Sequence, residues 1–152
     1  APGPSAALCS LYNPQMSAIR VLPVLLINQI AAGEVIGCVA TSEGPGVLQA
    51  SALQATVSGG KLSGAKLPVT DGDIATHAIV LAREGQGLSL VLVDLNQAGV
   101  KRETLKTLDP TRSHARLTFS KASGERMGKA GEGWDVAEQV LDRCLGDAPI
   151  GL

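Results

Sequence analysis

The chain has 152 residues, enough for one compact domain that buries roughly two-thirds of the surface its unfolded form exposes. It is 45% hydrophobic but only 2% aromatic, with a formal net charge of −1, which argues against an aromatic platform for stacked bases and a basic face for a phosphate backbone. Cys9, Cys38 and Cys144 are odd in number and far apart, so neither a disulfide framework nor a thiolate zinc site is expected, and a reducing compartment fits best.

Residues 1–15 are rich in Ala, Pro, Gly and Ser without a period and read as a tail. Residues 16–33 form a helical segment, with Pro23 tolerated only in its first turn or before it and Gly33 ending it. The apolar stretch 21–36 is interrupted by Pro23, Asn28, Gln29 and Glu34, too polar for a membrane span, and no signal peptide opens the chain. The chain reads as soluble and cytoplasmic. From residue 34 to 131 short β-type runs alternate with turn signals: 36–41, 52–57, 61–67, 75–83, 88–95, 100–105 and 114–120. Ser58-Gly59-Gly60 marks a hairpin, and the near-continuous apolar run 88–95 suits a strand covered on both sides. This pattern predicts a mainly β fold, an antiparallel barrel or sandwich. After Gly131 the period becomes helical, with Trp134, Ala137, Val140, Leu141, Cys144 and Leu145 on one face, Asp135 and Glu138 spaced as a capping box, and Gly146 as the close. Residues 132–152 therefore read as the start of a further helical domain.

Across residues 33–152 the order of these signals resembles the middle β-domain of the acyl-CoA dehydrogenases. The resemblance is carried by Gly37-Cys38-Val39-Ala40-Thr41-Ser42-Glu43-Gly44, by Lys61-Leu62-Ser63-Gly64-Ala65-Lys66-Leu67-Pro68-Val69-Thr70-Asp71-Gly72, and by Leu81-Ala82-Arg83. Leu108-Asp109-Pro110-Thr111-Arg112, Leu117-Thr118-Phe119 and Gly131-Glu132-Gly133-Trp134 complete it. It implies one wall of an FAD pocket, because Ser42-Glu43-Gly44 matches the family's Thr-Glu-Pro and Pro68-Val69-Thr70 its Trp-Ile-Thr. Ser42, Glu43, Val69 and Thr70 are then the cofactor-binding residues, offering donors where negative charge develops on a flavin that receives a hydride. Pro68 stands in place of the stacking tryptophan, and Val47 and Leu48 in place of a serine that meets pyrophosphate, which implies weakened FAD binding. The implied substrate is an acyl-CoA in the full-length form, and the implied assembly a homo- or hetero-oligomer. The family's catalytic carboxylate comes from the helical domain that follows, so no residue here is assigned as catalytic base. The alternative is a non-enzymatic β-barrel interaction module or partner subunit that has lost flavin.

Residues 19–36, from Ile19-Arg20-Val21-Leu22-Pro23 to Asn28-Gln29-Ile30-Ala31-Ala32-Gly33-Glu34-Val35-Ile36, also resemble the first segment of MutL-type mismatch-repair ATPases. No helix with that family's catalytic glutamate and asparagine follows, and the match is read as local. Residues 124–129 resemble a phosphate loop with one residue too few between the glycines and read as a turn. Taken singly, Ser42 and Thr70 are strand-end hydroxyls satisfied by their own backbone. Cys38 reads as a small core residue, His77 and His114 as structural histidines, and Asp109 with Arg112 as a local turn pair.

Overall fold

The computed structural model describes Gln29 and residues 31–146. The predicted tail and most of both the predicted helical segment 16–33 and the mismatch-repair resemblance lie outside the described residues. Within them Gly33, at φ 76°, closes a helical turn as the Glu34 N–H donates to the Gln29 carbonyl at 2.9 Å. Seven strands and a helix follow: β1 (Gly37–Ala40), β2 (Thr56–Ser58), β3 (Lys61–Thr70), β4 (His77–Glu84), β5 (Gly87–Asp94), β6 (Val100–Leu105), β7 (His114–Met127) and α1 (Gly133–Gly146).

The expected hairpin joins β2 to β3, where Gly59 and Gly60 take positive φ so that Ser58 can pair with Lys61. Strands β4, β2, β3, β7 and β5 form a closed ring, and β6 adds to the free edge of β7. Most of the ladder is antiparallel as predicted, but β1 lies parallel to β4, pairing Gly37 with His77 through Ala40 with Val80. Residues 124–129 are a correction: β7 runs on through Met127, pairing Gly124 with Val93 and Met127 with Leu90. Lys121, at φ 52°, bulges the strand there, so that its first half serves β6 and its last part β5. The predicted strand 52–57 shrinks to β2, preceded by a short 3-10 turn at Ala50–Ala52.

Alternation along β5 builds two apolar layers. Val91 and Val93 enter the barrel among Leu62, Val69, Val80, Leu117 and Phe119, whereas Leu88 and Leu90 point outward to Leu53, Leu81, Met127 and α1. The strand is therefore covered on both sides, as its composition predicts. Each buried Leu or Val contributes about 1.5–3 kcal/mol of transfer free energy. On α1 the docked residues are Trp134, Val136 and Ala137, while Val140 is exposed. The helix begins at Gly133, so Asp135 lies in its first turn, favoured by the helix dipole, and is not the predicted cap.

Candidate functional site

The ring is irregular between β4 and β3. Against β4, β1 covers residues 77–80, and the chain returns only at Ala55, whose carbonyl accepts from the Arg83 N–H at 2.7 Å. Against β3, β2 covers residues 61–63, and Leu67 is reached from the end of β1, its N–H donating to the Ser42 carbonyl at 2.9 Å. Residues 44–54 loop between these two halves of a seam, and the backbone groups at their ends have no strand to pair with. Charged side chains take that place.

Lys66 falls on the inward parity of β3 with Leu62 and Gly64, and its side chain is 0% exposed. Its ammonium donates to the Thr41 carbonyl at 3.0 Å and to Glu43 Oε1 at 2.8 Å. The Glu43 carboxylate also accepts from the Gln54 N–H at 2.6 Å and the Ala55 N–H at 2.9 Å. Burial opposes the charged form of Glu43, but these hydrogen bonds and the ammonium outweigh it, and the carboxyl titrates below its ordinary value. Burial likewise pushes the Lys66 ammonium below the usual lysine range, against the pull of Glu43. Arg83 holds the other end of the loop, donating to the carbonyls of Ala50, Ser51 and Leu53. Gly64 is required where Ala55 crosses β3, because a Cβ there would stand 2.7 Å from the Ala55 Cα.

The residues singled out from the sequence gather along this seam. Ser42 is joined to Leu67, and Thr70 lies three residues further along β3, roughly 10 Å at the rise of a strand. Both are half-buried and reach solvent, and among the described residues neither hydroxyl hydrogen-bonds to its own backbone. Glu43 differs, since its carboxylate is spent inside the protein. Val69 is wholly buried in the barrel core, and its carbonyl accepts from the Gly72 N–H at 3.2 Å, so the structure presents none of this residue outward. Pro68 is exposed at a bulge of β3, and Val47 is 85% exposed at the tip of the seam loop.

Beyond Thr70 the chain turns through Asp71, at φ 59°, whose carboxylate pairs with Arg112 at 2.8 Å. That corrects the expected local pair of Asp109 and Arg112: Asp109 instead accepts from the Thr111 N–H and hydroxyl, which hold its carboxyl below the ordinary range. His114 lies directly across the ladder from Thr70, and its Nδ1 is buried without a partner among the described residues. His77 Nδ1 lies 3.2 Å from the Thr76 hydroxyl, a structural contact. Cys38 is a core residue, its thiol pushed up to about 11 by burial and by Asp71.

The Glu43–Lys66 pair and the Arg83 clamp were not foreseen. A signal for the first was present, since a lysine on the buried parity of a strand demands a carboxylate.

No protein-family profile and no curated protein sequence matches the chain. Solved structures do. A glutaryl-coenzyme A dehydrogenase bound to glutaryl-CoA shares the fold at a TM-score of 0.74 and 18% identity, over 84% of this chain and 37% of that one. A glutaryl-CoA dehydrogenase from Mycobacterium smegmatis in complex with FADH2 gives 0.67 and 23%, over 83% and 36%. A chain from the electron transferring flavoprotein structure of Acidaminococcus fermentans gives 0.68 and 27%, over 75% and 34%. The described barrel thus has the fold of part of an acyl-CoA dehydrogenase, and the chain spans about a third of the length of these proteins.

Proposed function

We propose that this chain is the flavin-binding middle domain of an acyl-CoA dehydrogenase-like protein, with residues 34–131 as the barrel and 132–152 opening a helical domain. The observation that carries the reading is the pair of unengaged hydroxyls, Ser42 and Thr70, along the seam of a barrel that fits the dehydrogenase fold. The donor set suits the polar edge of a flavin: the Ser42 hydroxyl, the Glu43 N–H and the Thr70 hydroxyl would hold it. The chemistry FAD supplies when bound is acceptance of a hydride from an acyl-CoA thioester.

This chain's contribution is to hold and orient. Preorganised donors offer their dipoles to charge that develops at the ring, without reorganising as the reaction proceeds. Glu43 is already committed to Lys66, Gln54 and Ala55 and is not free to accept a substrate proton. Pro68 offers no aromatic face, so this wall binds flavin less tightly than one with an indole would.

A second reading, an interaction module without flavin, is favoured by the apolar exposure of Val47 at 85% and Val39 at 60%. Incubating the purified chain with excess FAD, desalting it and recording visible absorbance separates the two. A yellow protein peak is expected from the first reading; a colourless one overturns retention by this wall alone and favours the second.

A further inference from the structure

The neighbours of Ser42 on either side share one anchor. Thr41 is held through its carbonyl and Glu43 through its carboxylate, both by the Lys66 ammonium, while Ser42 itself accepts from Leu67 on the same strand. A lysine ammonium has three donors, and two of them are spent on the residues that flank one hydroxyl. The anchor lies inside the barrel, where water does not compete for it.

We propose that Lys66 is a positioning residue for Ser42, and that the Glu43 side chain belongs to this buttress and never meets a ligand. Lys66 sets the backbone path of residues 41–43 and, through Glu43, ties it to Gln54 and Ala55 at the far end of the seam loop. The backbone that carries the Ser42 side chain is therefore anchored from beneath by a wholly buried lysine. For its ligand-binding arm this inference rests on the flavin reading; its geometric arm does not.

The test uses the whole chain and the variants Lys66→Met, Glu43→Gln, Ser42→Ala and Ser42→Ala/Lys66→Met. Without flavin, amide exchange is followed along the chain. Lys66→Met is expected to speed exchange of residues 41–55 by about tenfold or more beyond any change it causes in β4 and β5, as local loss of a charge-assisted hydrogen bond implies on top of global destabilisation. With FAD, the dissociation constant is expected to rise by about the same factor in Lys66→Met as in Ser42→Ala. The double variant should then be weaker than Ser42→Ala alone by far less than Lys66→Met is weaker than the wild type, the small remainder being the Glu43 N–H that Lys66 also anchors. Exchange of residues 41–55 that stays at the wild-type rate overturns the positioning role. So does a Lys66→Met effect on affinity that persists undiminished when Ser42 is already alanine. If the wild-type chain binds no FAD, the flavin reading falls, while the exchange comparison still decides whether Lys66 sets this segment. Should Lys66→Met fail to fold, Glu43→Gln, which keeps shape and removes charge, carries both comparisons with the same expected directions.

Discussion

The wall made by β4, β5 and the end of β7 is held differently from the seam between β4 and β3. In the wall the strands run on without a break, His77 to Glu84 pairing with Asp94 to Gly87, so the backbone satisfies itself and apolar side chains fill both faces. Along the seam the strands stop short, and Lys66, Glu43 and Arg83 supply the donors and acceptors that a continuing strand would have given. Unpaired buried backbone groups are costly, so a broken ladder must recruit side chains. Among the described residues the Ser42 and Thr70 hydroxyls beside this break have no side-chain or backbone partner.

The sharpest way to break this contrast is to remove one half of the buried pair. Lys66→Ala is expected to destabilise the chain by about 4 kcal/mol in urea unfolding, because it strands a carboxylate that is only 13% exposed. Neutralising both partners as Lys66→Met/Glu43→Gln should recover much of that loss, which an apolar contact would not do. In the wall, Leu81→Ala is expected to cost about 3 kcal/mol by opening a cavity, with no charge reversal able to rescue it.

The two regions should also part company with pH. Glu43 is held below its ordinary value of 4.5, so its contribution to stability is present above that value and is lost as pH falls through the lowered one. Acid should therefore raise amide exchange at residues 41–55 before it does so in β5. Cys38, raised from 9.0 to about 11, works in the opposite sense: it favours the folded state below 9 and that contribution is lost as pH climbs through about 11. Its reaction with an alkylating reagent at pH 8 should be slow in the folded chain and rapid after unfolding.

Much of the barrel was legible because its strands are bounded by glycine turns that the sequence displays openly. The hairpin at Gly59-Gly60, all of β6 and the doubly covered β5 follow from local pattern alone. What local pattern could not show is where a strand changes partner. A bulge at Lys121 carries β7 from β6 to β5, and the parallel pairing of β1 with β4 joins residues forty apart. The expectation of a site at Ser42 and Thr70 came only through a family resemblance, because no local pattern marks either hydroxyl. Its buttress depends on a pair 23 residues apart, which no period connects, although the parity of Lys66 with Leu62 on β3 hinted that an ammonium would be buried.

In the reading proposed here, the Ser42 and Thr70 hydroxyls, unpartnered among the described residues, receive a flavin. The most direct measurement is a fluorescence titration of FAD with the whole chain and with its Ser42→Ala/Thr70→Ala variant, each checked for an unchanged unfolding midpoint. Saturable quenching by the wild type, with an affinity lost by about tenfold or more in the variant at equal stability, is the predicted result. Equal titrations for the two proteins, or none for either, would contradict it.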